Sequence, residues 1–216
     1  NKKTALNIVH NPPSIEKLKQ SQIRLKYEEL FEFMFKINYL KEQNKKEKTG
    51  IKRELTEDDV KKILSIIPFE LTNDQLNAIN EIVKDLNSSS RMNRILQGDV
   101  GSGKTIVAIV AMYLNYLSGY QSALMAPTEI LAHQHYENMI NLFKDYDINI
   151  KEILGSTSKK EKEQIKEDLK QGKIDMIVGT HALLQDDINF NNLGLIITDE
   201  QHRFGVNQRS NLRNKG

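Results

Sequence analysis

The chain has 216 residues, with 31 Lys+Arg against 29 Asp+Glu and a net charge of +2, so bulk charge does not announce a nucleic-acid protein. It contains no cysteine, which excludes disulfides and thiolate metal sites and suits a reducing compartment. Its apolar runs are far short of a membrane span and its N-terminus lacks a signal-peptide core, so a soluble cytoplasmic protein is expected, with no membrane partner. The length allows one full core and a smaller appendage, and a start at Asn1 rather than Met reads as a piece of something longer.

The first part of the chain is helical in pattern. Pro12-Pro13-Ser14 reads as a linker with Ser14 as N-cap, and no Gly or Pro interrupts residues 14–48. Ile23, Tyr27, Leu30, Met34 and Ile37 recur at steps of four and three, and Phe31, Phe33 and Phe35 broaden that face. A long amphipathic helix that covers its apolar side with a neighbouring domain is expected. Residues 1–66 are basic by about five charges and the remainder is mildly acidic, while lysine-rich 41–48 reads as a solvated helix end. Thr56-Glu57-Asp58-Asp59 then caps a short helix through Ile67. The chain divides near Pro68, giving a mostly helical connector over 1–67 and a second domain over 68–216.

From Pro68 onward strands and helices alternate. Thr72 starts a helix over 71–86, and Ile95-Leu96 centres a short buried strand over 93–97. A glycine-rich loop, a helix over 106–114 and a strand over 122–126 follow. Pro127-Thr128 opens a helix to about Phe143, in which His133 and His135 lie two apart, diverge around the axis and read as non-metal. Next come a strand over 148–154, a charged helix over 158–171, a strand over 174–178 and a strand over 194–198. This alternation predicts an α/β protein with a doubly wound parallel sheet, whose ligands bind in the loops after the strands.

Gly98-Asp99-Val100-Gly101-Ser102-Gly103-Lys104-Thr105 fits the phosphate-binding loop pattern between a strand and a helix. Its glycines let successive N–H groups approach a β-phosphate, and the helix start adds partial positive charge behind them. Lys104 is placed for the β- and γ-phosphates and Thr105 for Mg²⁺. Downstream, the apolar run Gly194-Leu195-Ile196-Ile197-Thr198 ends in Asp199 and Glu200. Asp199 suits Mg²⁺ held through its hydration shell, and Glu200 suits the base that orients and deprotonates attacking water.

In order and spacing, Gly98 to Thr105, Ala126-Pro127-Thr128-Glu129-Ile130-Leu131-Ala132, Val178-Gly179-Thr180-His181 and Asp199-Glu200-Gln201-His202 resemble the motifs of superfamily-two helicases of the DExH type. Leu71-Thr72-x-x-Gln75, the Gln97 and Ser102 positions, and the extension Arg203-Phe204-Gly205-Val206-x-Gln208-Arg209 are similar to the RecG type of branch-migration DNA helicase. Transcription-repair coupling factors typically carry tyrosine at the Ser102 position and Glu-Glu-Gln after the aspartate.

The resemblance spans the whole chain and implies a connector followed by a first RecA-like, P-loop NTPase domain. It implies ATP and Mg²⁺, with Gln75 reading the adenine edge and Phe69 near the base. Gln201 and His202 are implied to link the γ-phosphate to DNA and to a second motor domain of the parent chain. Pro127, Thr128, Glu129, Gly179, Thr180 and His181 are implied to meet the DNA backbone, and Arg203 and Arg209 to pair with phosphate or carboxylate. The implied activity is ATP-driven remodelling of forked and branched DNA, with the fragment alone binding MgATP but turning it over slowly. Two other readings stay open at this point: a different duplex translocase, and a nucleotide-dependent binding module without productive hydrolysis.

Overall fold

The computed structural model describes residues 1–46, 50–185 and 187–200. Its contacts divide the chain into two compact units, Asn1–Gly50 and Ile51–Gly216.

The first unit is a helical hairpin. Helix α1 (Lys2–His10) starts where the Asn1 side chain accepts a hydrogen bond from the Thr4 N–H at 2.9 Å. Helix α2 (Ile15–Lys46) starts where Ser14 Oγ accepts from the Lys17 N–H at 3.3 Å. The two pack along each other with Ala5 and Ser21 buried, and Lys2 reaches Glu32 at 3.2 Å. The sequence reading predicts α2 and misses α1. Along α2 the predicted apolar face stands exposed from Ile23 to Phe35, with Ile37 half-buried, and Tyr27, Phe31, Phe35 and Tyr39 stack at successive turns with centroids 6.2, 6.3 and 6.4 Å apart.

The second unit begins earlier than the boundary expected near Pro68, for a physical reason. Helix α3 (Glu57–Ile66), started by a reciprocal capping box between Thr56 and Asp59, buries Ile63 completely in the same core as the helices that follow. Arg53 is also drawn in. Its guanidinium donates to Asn115 Oδ1 at 3.1 and 2.5 Å and to the Gly194 carbonyl at 2.7 Å, so residues 51–67 belong with the sheet.

The remaining elements are α4 (Asn73–Leu86), α5 (Lys104–Leu117), β1 (Gln121–Met125), α6 (Glu129–Leu142), β2 (Ile150–Ile153), α7 (Lys159–Lys170), β3 (Met176–Gly179), a 3-10 turn at His181–Leu184, and β4 (Leu193–Thr198). Four parallel strands lie in the order β2-β3-β1-β4. Side chains alternate between two cores: Leu124, Met176, Val178 and Leu195 join α3 to α6 on one face, while Ala123, Met125 and Ile177 join Ile165 and Leu169 of α7 on the other. The chain crosses outward from β1 to β2 through α6 and returns to β3 through α7. Right-handed crossovers in opposite directions require opposite faces, which is the doubly wound, RecA-like arrangement.

The strand predicted over 93–97 is not formed. Arg94 pairs with Glu81 and, at 2.8 Å, with Asp85 on α4, while Ile95 is 69% exposed. Two apolar residues flanked by polar ones carry too little burial to compel pairing against those charged contacts.

Candidate nucleotide site and flanking loops

The site lies along one edge of the sheet. In register, Met125 stands beside Gly179 and Thr198, so β1, β3 and β4 deliver residues 126–129, 180–181 and 199–200 to the same side. At its C-terminal end α5 is fastened to the opposite edge, because Asn115 donates to the carbonyls of Tyr120 and Gln121 before β1 and at its start. Helix α5 therefore runs antiparallel to the strands, and its N-terminus with Lys104 and Thr105 returns to the edge that carries Asp199.

Gly103 caps α5 in the left-handed conformation at φ +77°, with no side-chain hydrogen bond to the first turn and no acidic residue in it. Uncapped N–H groups and the helix dipole make that turn receptive to an anion. Gly101 is also left-handed, at φ +82°, and faces open space. Lys104 Nζ donates to the carbonyls of Gly98 and Asp99 at 2.8 and 2.7 Å, folding its charge across the loop. Ser102 sits against Gly98, and Val100 is fully exposed at the tip.

Gln75 is brought to this loop from far along the chain. Its Oε1 accepts from the Thr72 N–H at 2.8 Å in a capping box, and its Nε2 donates to the Ser102 carbonyl at 3.0 Å. Phe69 is exposed.

Asp199 follows β4 and donates its backbone N–H to the Met125 carbonyl at 2.8 Å. Both carboxylate oxygens are engaged: Oδ1 accepts from the Glu200 N–H at 2.9 Å, and Oδ2 lies 2.9 Å from Nε2 of His135. Glu200 has φ +48°, a backbone state that a side chain adopts at a cost of about 1–3 kcal/mol. The uncapped helix start, the Lys104 ammonium, the Thr105 hydroxyl and the Asp199 carboxylate together suit a nucleoside triphosphate with a hard, oxygen-seeking cation.

The flanking loops are more occupied than the sequence suggests. Thr128 caps α6 by accepting from the Leu131 N–H at 3.3 Å, directly after Pro127. Glu129 accepts from the Ser156 hydroxyl at 2.7 Å and the Ser156 N–H at 3.0 Å, and these bonds hold its carboxyl below the ordinary glutamate range. Gly179 is buried in β3, where a Cβ would lie 2.6 Å from the Ile153 carbonyl, so its smallness serves strand packing. Thr180 is buried and His181 exposed. Gln201, His202, Arg203 and Arg209 lie outside the described residues.

Sequence reasoning missed His135 and Ser156 as members of the site. His135 had a legible signal: it sits in the inward stripe Ala132, His135, Met139, where an apolar residue is the ordinary choice.

The DEAD/DEAH box helicase family matches residues 72–215. The chain is 46% identical over 212 residues to the ATP-dependent DNA helicase RecG of Bacillus subtilis (strain 168), covering 98% of this chain and 31% of that protein. RecG of Staphylococcus aureus (strain NCTC 8325 / PS 47) is 48% identical over 211 residues, with the same coverage of 98% and 31%. The chain thus spans about a third of the length of these curated relatives. A solved structure of RecG bound to a three-way DNA junction aligns with a TM-score of 0.82 at 43% identity, over 93% of this chain and 27% of that one. A hypothetical ATP-dependent RNA helicase from Sulfolobus tokodaii shares the fold, with a TM-score of 0.56 at 18% identity over 74% of this chain and 47% of that one. With the family's match running from the Thr72 cap through the phosphate loop and beyond Asp199 and Glu200, the chain belongs to the DEAD/DEAH box helicases.

Proposed function

We propose that this chain is the connector and first motor domain of an ATP-dependent, RecG-type DNA helicase that remodels forked and branched DNA in recombination and repair. The observation that carries the reading is the shared sheet edge, which gathers the uncapped start of α5 and the Asp199-Glu200 turn from residues about a hundred positions apart in sequence. Similarity to RecG along 98% of the chain supports the DNA class.

In this reading Lys104 exchanges the Gly98 and Asp99 carbonyls for the β- and γ-phosphates. Thr105 and Asp199 hold Mg²⁺, which supplies neutralising charge at the phosphate oxygens when bound. Glu200 takes a proton from the attacking water, and Gln75 presents its amide to adenine with Phe69 beside the base. Gln201 and His202 tie the γ-phosphate position to the second motor domain and to DNA. Pro127, Thr128 and Glu129, with Gly179, Thr180 and His181, make up the loops of the DNA side, where N–H groups at the start of α6 hold phosphates without reading bases, as a motor on any sequence requires. Glu129 through Ser156 and Gly179 through its packing shape those loops. A second RecA-like domain of the parent supplies the arginine for the transition state. That group accounts for about 10³- to 10⁵-fold in rate, so this chain alone binds MgATP and hydrolyses it slowly. A reducing cytoplasm suits its cysteine-free sequence.

ATPase assays on the full-length parent with forked DNA, linear duplex and no DNA test the reading. Forks should stimulate above linear duplex. Equal stimulation points to another duplex translocase, and no turnover under any condition points to a binding module. Lys104→Ala should abolish nucleotide binding or turnover, whereas Glu200→Gln should bind ATP and stop hydrolysis.

A further inference from the structure

The buried imidazole of His135 has no role in the motifs that define the site. It is 7% exposed, lies on α6 between the fully buried Ala132 and Met139, and touches Oδ2 of Asp199 through Nε2 at 2.9 Å. Its other nitrogen, Nδ1, is buried without a hydrogen-bond partner among the described residues. The ring therefore makes one polar contact, and that contact is to the carboxylate expected to serve Mg²⁺. An apolar side chain would fill this stripe without the cost of desolvating an imidazole, so packing alone does not account for histidine here.

We infer that His135 is a positioning residue for the metal: it fixes the Asp199 carboxylate through an Nε2–H donor. A carboxylate only accepts, so the hydrogen of this contact sits on Nε2. With Oδ1 held by the Glu200 N–H and Oδ2 by His135, the side chain is pinned at both oxygens in one rotamer. Each oxygen keeps a second lone pair for the hydration shell of Mg²⁺. The contact also joins two motifs, because α6 begins at the Thr128 cap, about two helical turns before His135. Partners that orient a metal's ligands from behind commonly change metal affinity by about 10- to 100-fold when removed.

This inference rests on the nucleotide-site reading, and its test separates the two. A fluorescent ATP analogue is titrated into the 216-residue chain with and without Mg²⁺, alongside thermal melts. His135→Leu fills the space without a donor, and His135→Gln keeps one. The expected result is that His135→Leu loses about tenfold of the Mg²⁺-dependent gain in affinity with Mg²⁺-free affinity unchanged, while His135→Gln keeps most of that gain. In wild type, long-range ¹H–¹⁵N spectra should show the Nε2–H tautomer, shifting when Mg²⁺ and analogue are added together. The inference is overturned if both variants keep the full Mg²⁺ gain, if His135→Leu weakens binding equally with and without Mg²⁺, or if the proton sits on Nδ1. Absence of analogue binding by wild type strikes the nucleotide-site reading instead, and the tautomer still decides the contact.

Discussion

Glu129 joins two loops at the end of the sheet, and its ionisation reports that join. Hydrogen bonds from the Ser156 hydroxyl and then the Ser156 N–H lower its pKa. A carboxyl depressed on folding stabilises the fold above its unfolded value of about 4.3, and the contribution fades as pH falls through the lower folded value. A ¹³C-detected titration should therefore place the Glu129 midpoint below that of an ordinary glutamate, and Ser156→Ala should move it back up. A wild-type midpoint at or above the ordinary value contradicts the contact. Candidates such as Lys104, Thr105, Asp199 and Glu200 were open to proposal from sequence because phosphate and metal chemistry demands a set spacing within short motifs. Glu129 with Ser156 and His135 with Asp199 were not, since they are 27 and 64 positions apart and only the folded sheet brings them together.

Elements were readable where their ends carry their own chemistry. Thr56, Thr72, Thr128 and Ser158 each accept a first-turn N–H, and each helix starts where such a side chain predicts. Where partners decide, the pattern misleads. Segment 93–97 has the composition of a strand and is held through Arg94 to α4, and α1 shows its hydrophobic contact only once α2 lies against it. The junction of α5, β1 and β4 is a second case, invisible in sequence: Asn115 is wholly buried and uses its amide for the Tyr120 and Gln121 carbonyls and the Ser122 hydroxyl, at 3.0, 2.9 and 2.8 Å. Its oxygen takes both contacts from Arg53, whose guanidinium also lies over the Tyr120 ring. Asn115→Ala takes two hydrogen bonds from the buried Arg53 guanidinium, which keeps the Gly194 carbonyl, and removes the side-chain donor from the Tyr120 and Gln121 carbonyls at once. It should lower unfolding free energy by about 3 kcal/mol in urea titrations, more than an ordinary surface change.

For the whole molecule, ownership of the core decides where the chain can be cut. Among the described residues, both hydrophobic clusters draw all their members from Ile51–Gly216, whereas Asn1–Gly50 buries little beyond Ala5 and Ser21. A lone helical hairpin with so little burial is marginal in water, because helices draw their stability from packing rather than propensity. The segment 51–67 carries the deciding contacts, Ile63 at 0% exposure and Arg53 against Asn115 and Gly194. A protein beginning at Ile51 should thus unfold cooperatively near the midpoint of the full chain and bind the ATP analogue with similar affinity. One beginning at Pro68, the boundary that composition suggests, opens a cavity where Ile63 sat and leaves Asn115 Oδ1 without its buried cation. Loss of a fully buried isoleucine alone costs about 2–5 kcal/mol, a large fraction of the stability of an ordinary domain. Paired thermal and urea melts of the two truncations check this: equal midpoints would mean that α3 and Arg53 are passengers on the second unit rather than part of it.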